Sequence, residues 1–343
     1  MVKKENKAAE GISKGFPMSN SVLNFLGENK IQTLFLFIFV VGCPFLGFFL
    51  REFDSIYQMR IAANPKYDWP KYSDLLIALA STAVILIIFG LTQKLFTSTC
   101  LQFISPKYQG QERTERSERM IKSVFKGTYF TFASVFAYYI SKDTFFMPAS
   151  LGGTGNVENT FEDYPYFNKS NLHYMREYFM IQLGYHFSSF LLLFSTNKLR
   201  TDFIEMFLHH SITVFLLGLA YLMNYWPISL MILFTHDVSD AFVCFTRVFV
   251  DTNYSKIAFF FYVMLMVSWV YMRLIIYPFE LLRVSCYQNQ KFEEMHGLGI
   301  LGSMAHALVL LHVYWFILLI QMGLRYVKKN EAVDTQMGSN ITK

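Results

Sequence analysis

The chain has 343 residues, 53% hydrophobic and 18% aromatic, with a mean hydropathy of +0.31, which is too apolar for an ordinary soluble domain and fits a polytopic membrane protein. The net charge of +5 is spread over loops and termini and forms no basic stripe, so nucleic acid is not an expected partner. Cys43, Cys100, Cys244 and Cys286 show neither C-x-x-C spacing nor a paired framework, which argues against a zinc ribbon or a disulfide scaffold and leaves them as structural thiols.

The first 30 residues carry Lys3, Lys4, Lys7 and Lys14 and stay polar through Lys30. They read as a terminal segment ahead of a first transmembrane helix; the apolar run that follows is long and lacks a small-x-small exit, so it is not a cleavable signal. A span needs about 20 mainly apolar residues. Eight stretches qualify, at 31–50, 74–96, 121–140, 178–194, 203–222, 226–250, 257–276 and 298–321, the third interrupted by Lys126 and the fourth short. Lys and Arg in the alternating connections number 16 on the side that holds both termini and 9 on the other, which predicts that both termini are cytosolic.

The connection 141–177 holds Gly152, Gly153, Gly155, Asn156 and Asn159, expected to form a flexible set of turns. It also holds the sequon Asn168-Lys169-Ser170 on the side expected to be lumenal. No internal repeat and no sizeable soluble domain are expected.

The chemistry concentrates in the helix pair 203–250. Glu205, His209 and His210 lie in its first member and His236, Asp237 and Asp240 in its second. Each ionisable group at membrane depth costs roughly 2.5–3.5 kcal/mol by insertion scales, so such groups persist mainly where they perform chemistry or transport. The turn is Met223-Asn224-Tyr225, with Trp226 and Pro227 opening the second helix, where a missing N–H costs little. His209-His210 and His236-Asp237 are equally far from that turn, so an antiparallel hairpin brings them to one depth, about 20 Å from the turn and about 10 Å from the other end. Glu205, His209 and Thr213 share a face, as do His236 with Asp240 and Asp237 with Asp240, whereas His209 and His210 diverge by about 100°.

Three readings compete for this cluster. The residues hold helices together by hydrogen bonds, or they bind zinc or iron, or they act without metal as acid, base or nucleophile, with Asp fixing an imidazole. The eight histidines make no H-x-x-x-H or H-x-x-H-H box, which argues against a di-iron oxygenase. His186, His306 and His312 are singletons and read as helix-packing partners. Arg247 is expected to snorkel to an interface, and Arg273 to pair with an acid or to bind a phosphate.

The stretch Arg200-Thr201-Asp202-Phe203-Ile204-Glu205, then His209-His210, Thr213, Asn224 and His236-Asp237-Val238-Ser239-Asp240, resembles the Lag1 motif of ceramide synthases, members of the TLC superfamily. Weaker similarity extends over about 121–322, including Arg273-Leu274 with Pro278 and Leu311-His312 with Trp315. The sequence departs from the family pattern at Val243, Cys244 and Arg247, which follow the motif, and at Pro227 in the hairpin turn; these changes bear on substrate preference.

The resemblance implies an all-α, six-helix TLC bundle at 121–322, preceded by two extra helices at 31–120; the charge count makes the segment 1–30 and the tail 323–343 cytosolic. It implies an enzyme of the endoplasmic reticulum membrane that joins the acyl group of a fatty acyl-CoA to the amine of a sphingoid base. His209, His210, Asp237 and Asp240 would be catalytic, and Arg200, Asp202, Glu205, Thr213, His236, Ser239 and Arg273 would bind substrate or support the site. No metal or other cofactor is implied beyond acyl-CoA as co-substrate. The implied partners are the two substrates, the bilayer and, left open, a homo- or hetero-oligomer. The rivals are an alkaline-ceramidase-like metal-dependent hydrolase and a non-enzymatic TLC-domain lipid regulator. The connection 277–297 is expected to tune acyl-chain length.

Overall fold

The computed structural model describes residues 70–162, 164, 174–195, 203–289, 295 and 297–329, with isolated positions between 47 and 61. Among these the protein is helical, without strands. Seven long helical elements follow in order: α1 (Leu75–Phe103), α2 (Gly110–Ser141), α3 (Met175–Ser195), α4 (Phe203–Leu222), α5 (Trp226–Val250), α6 (Ser255–Ser268), continued by a π-helix (Trp269–Gln288), and α7 (Leu298–Lys329). The first expected span, 31–50, lies largely outside the described residues, as do Arg200, Asp202 and Asn168.

Five of these elements are long and apolar enough to cross a membrane: α1, α4, α5, α6 with the π-helix, and α7. The chain is thus an all-α polytopic membrane protein. In α1 only 17% of the most apolar stretch is buried, against 67% in α5. A helix apolar on all sides and little buried by protein faces lipid, while α5 is the central post of the bundle. α2 starts at Gly110, well before its apolar stretch, because its first turns are a polar helix with Glu112, Arg113, Arg116 and Arg119. Hydropathy marks the span and does not mark where the helix begins.

The α4–α5 hairpin is built by local rules. Asn224 takes a left-handed φ of 64°, and the Tyr225 amide donates back to Ala220 O at 2.8 Å, a Schellman-type stop with Asn in the place usual for Gly. Tyr221 and Trp226 stack across the turn at 5.3 Å, and the indole N–H donates to Tyr221 O at 3.2 Å. Tyr221 also donates to the buried Asp74 carboxylate at 2.7 Å, which ties the hairpin to the start of α1.

The glycine-rich part of the 141–177 connection is a compact set of turns. Gly152 is left-handed at φ 82°, the Gly153 amide donates to Pro148 O and the Gly155 amide to Met147 O, and Phe146 and Met147 are fully buried. Missing Cβ atoms let the backbone fold onto itself there, with Gly153 against Met147 and Gly155 against Phe145. Tyr164 stacks on Tyr225 at 4.9 Å and donates to Met223 O at 3.2 Å. Burial pushes its phenol up to about 12, so it remains a donor. At the opposite end, Arg116 pairs with Asp251 and with Glu112, and its guanidinium lies 3.6 Å from the Tyr108 ring centroid, pinning the α1–α2 connection to the α5–α6 turn.

The last expected connection, 277–297, is mostly helix. The chain stays helical to Gln288, in widened π turns that include Pro278. A proline after an apolar run is a usual sign of a helix end, and here it is absorbed by the π geometry, a rare form that tends to occur at functional sites.

Candidate active site

α5 turns its polar residues to two sides. Asp240 faces a cavity of about 200 Å³ lined also by Lys126, His186, His209, His210, Trp269, Arg273 and Trp315. Met206 near the start of α4, Thr246, Arg247 and Val250 near the end of α5, and Met322 near the end of α7 extend the lining toward the end of the bundle opposite the hairpin turn. His209 meets Trp315 edge-on at 5.2 Å and His210 at 5.3 Å between ring centroids. Its Nδ1 has no hydrogen-bond partner among the described residues.

Arg273 comes from the π-helix and is 1% exposed. It pairs with Asp240 at 2.6 Å, donates to His236 O at 3.0 Å and stacks over Trp269 at 4.2 Å. Of the two roles expected from sequence, the structure gives it the acid partner. An ion pair at this depth is held in place because removing either member strands the other charge.

Asp237, one turn before Asp240, is fully buried and does not line the cavity. It accepts from Gln182 Nε2 and, at 3.5 Å, from the Tyr178 hydroxyl, while Tyr129 donates to Gln182 Oε1 at 2.8 Å. His236 turns toward the π-helix and α7: its Nδ1 donates to Ile232 O at 2.6 Å, and its Nε2 lies 3.1 Å from His312 Nε2. With Nδ1 protonated, His236 Nε2 is the acceptor and His312 the donor of that bond.

The structure therefore brings together His209, His210, Asp240 and Arg273, with Asp237 and His236 behind them in separate polar clusters. The supporting residues divide further. Thr213 donates to His209 O at 2.8 Å, Glu205 accepts from Tyr314 at 3.3 Å, and the Ser239 hydroxyl reaches Thr235 O within α5 and Ser268 O of α6. Sequence reasoning undervalued His186, His312, Lys126, Gln182 and Trp315. The one available signal was that each places a polar group or indole within an apolar helix; which of them share a site is a property of packing. Among the described residues no group of three or more His, Cys, Asp or Glu is placed to hold a metal ion.

A known family covers the region that holds this site. A family profile of the TLC domain matches residues 119–321, more than half of the chain and the region that contains α3 to α6, the π-helix and most of α2 and α7. Ceramide synthase hyl-1 of Caenorhabditis elegans is 24% identical over 306 residues, covering 79% of this chain and 80% of that protein. ASC1-like protein 3 of Oryza sativa subsp. japonica is 27% identical over 257 residues, covering 73% and 87%. Sphingosine N-acyltransferase lac1 of Schizosaccharomyces pombe is 24% identical over 271 residues, covering 72% and 67%. With the TLC profile spanning its helical bundle and the histidine pair, aspartate and arginine gathered on one intramembrane cavity, the chain belongs to the TLC-domain family.

Proposed function

We propose that the protein is a ceramide synthase, an N-acyltransferase that moves a fatty acyl group from acyl-CoA to the amine of a sphingoid base. The observation that carries this reading is the cavity at membrane depth in which His209, His210 and Asp240 meet beside Arg273. The relatives named for ceramide synthesis support the substrate class.

The reaction needs a base, because the attacking amine is mostly protonated in water, and it needs stabilisation of the oxygen charge that develops on the thioester carbonyl. A water-poor cavity strengthens both effects. His209 and His210 supply the base or nucleophile. In the covalent route an imidazole nitrogen attacks the thioester carbonyl, the C–S bond breaks and the CoA thiolate leaves; the amine then attacks the acyl-imidazole, forming the amide and freeing the ring. In the direct route the same ring takes the amine proton as the C–N bond forms and the thiolate departs. Cationic groups on the cavity wall, Arg273 and Lys126, stabilise negative charge in both. Asp240 holds Arg273 in place, and Asp237 anchors α3 to α5 through Gln182.

The catalytic unit is 121–322, preceded by two N-terminal helices within 31–120. The protein resides in the endoplasmic reticulum membrane, with 1–30 and 323–343 cytosolic and the cavity nearer the cytosolic face. The charge asymmetry of the connections supports this orientation. Protease treatment of sealed microsomes should remove tags at both termini; protection of either one overturns it. No metal takes part. Purified protein given a panel of acyl-CoAs and sphinganine should yield the N-acyl product by mass spectrometry, with the rate unchanged by EDTA. Absence of product overturns the function, loss with EDTA restored by zinc overturns the metal-free chemistry, and a chelator-sensitive release of fatty acid favours the rival hydrolase.

A further inference from the structure

His186 lies on α3, outside the histidine and aspartate motif of α4 and α5. It is 7% exposed, lines the cavity with His209 and Asp240, and neither of its ring nitrogens has a hydrogen-bond partner among the described residues. Its ring meets Tyr185 edge-on at 5.5 Å, an apolar contact that leaves both nitrogens unused. Buried polar groups are nearly always hydrogen-bonded, so two unmatched nitrogens on a cavity wall point to a partner that arrives with the substrate. A histidine kept for helix packing bonds a carbonyl or a neighbouring helix, as His236 does through Ile232 O and His312. His186 does neither.

Chemistry selects the partner. A neutral imidazole presents one N–H and one lone pair. The thioester of acyl-CoA offers acceptors alone, whereas each hydroxyl beside the amine of a sphingoid base both donates and accepts. Resting on the acyltransferase reading, we propose that His186 is the subsite for a hydroxyl flanking the sphingoid amine, and that this contact positions the amine next to His209. His186 is then a specificity-determining residue for the base and takes no part in bond making.

The test compares sphinganine with its two analogues lacking either the C1 or the C3 hydroxyl, in the wild type, His186→Phe and His186→Gln, with His186→Leu as the apolar variant if the phenylalanine protein does not accumulate. Wild type should prefer sphinganine over one of the analogues by roughly tenfold or more in kcat/KM, since a site built around a hydroxyl rejects the substrate lacking it. The apolar variant should lose that preference, with the loss in KM for the base and the KM for acyl-CoA unmoved. His186→Gln, which keeps a donor and an acceptor, should restore part of the preference. An unchanged preference in the apolar variant, or a loss confined to acyl-CoA, overturns the assignment. A wild type that makes no N-acyl product instead overturns the acyltransferase reading, so the two failures are distinct.

Discussion

The two halves of α5 lie in different surroundings. From Trp226 to Phe234 the helix is almost wholly buried: Trp226, Ile228, Leu230, Met231, Leu233 and Phe234 all fall within the core. From Asp240 to Val250 the same helix borders a cavity and carries Asp240, Thr246 and Arg247 on its wall. The first half is dense and apolar and is tied through Tyr221, Asp74, Tyr164 and Tyr225 to α1 and to the 141–177 connection. The second half holds charge in a space that packing has left open. Rigidity at the hairpin end allows a void at the other, because a helix anchored along half its length presents its remaining side chains at fixed depth and angle.

This contrast predicts that changes in the cavity half mainly remove activity and changes in the hairpin half mainly remove folded protein. The largest effect is expected for His209→Ala and His210→Ala. Each should lower kcat by roughly 10²–10⁴-fold while membrane accumulation and thermal stability stay near wild type. The double substitution should cost little more, since groups that act as one unit are non-additive. Losses that multiply, or that track the amount of folded protein, would return both residues to a packing role. Incubation with acyl-CoA in the absence of amine separates the routes: an adduct on intact protein that His209→Ala removes assigns the covalent one, and no adduct assigns direct attack.

Asp240 and Arg273 sharpen the contrast, because they join chemistry to structure. Asp240→Ala leaves the buried guanidinium without its carboxylate and should destabilise by about 3–5 kcal/mol, while replacing both by apolar residues of similar size should recover most of that loss. Thermal stability of the detergent-solubilised variants reads this directly. Equal destabilisation of the single and double variants would show that the pair does not act as a unit.

In the hairpin half, Trp226→Ala should cost about 3–5 kcal/mol through the lost stack on Tyr221 and the cavity left behind, yet the protein that folds should keep its kcat. A fall in kcat beyond the fall in folded protein would mean that the two ends of α5 are coupled. The smallest effect is expected for Tyr221→Phe. Deleting that hydroxyl takes a hydrogen bond from the buried Asp74 at a cost of about 1–3 kcal/mol, with activity unchanged.

Apolar periodicity and length, read from sequence alone, determine that this chain is a helical membrane protein, because a span must be long, apolar and internally hydrogen-bonded. The hairpin turn at Met223–Tyr225 and the depth of His209 and Asp240 follow from local spacing for the same reason. Helix length beyond the apolar stretch was not legible: the polar start of α2 and the π-helical run past Pro278 depend on hydrogen bonding that hydropathy does not register. Partnerships between helices were not legible either. Asp237 and Asp240 are one turn apart and chemically identical in sequence, yet α3 offers Gln182 and Tyr178 to the first, and the π-helix offers Arg273 to the second. His186 and His312 look alike as singletons, but one pairs with His236 and the other faces the cavity unpaired among the described residues. Sequence set which groups lie at membrane depth, because rise per residue is a local constant. Only the tertiary structure decided which of them meet, because contacts between helices depend on their rotation and crossing, which no single helix encodes.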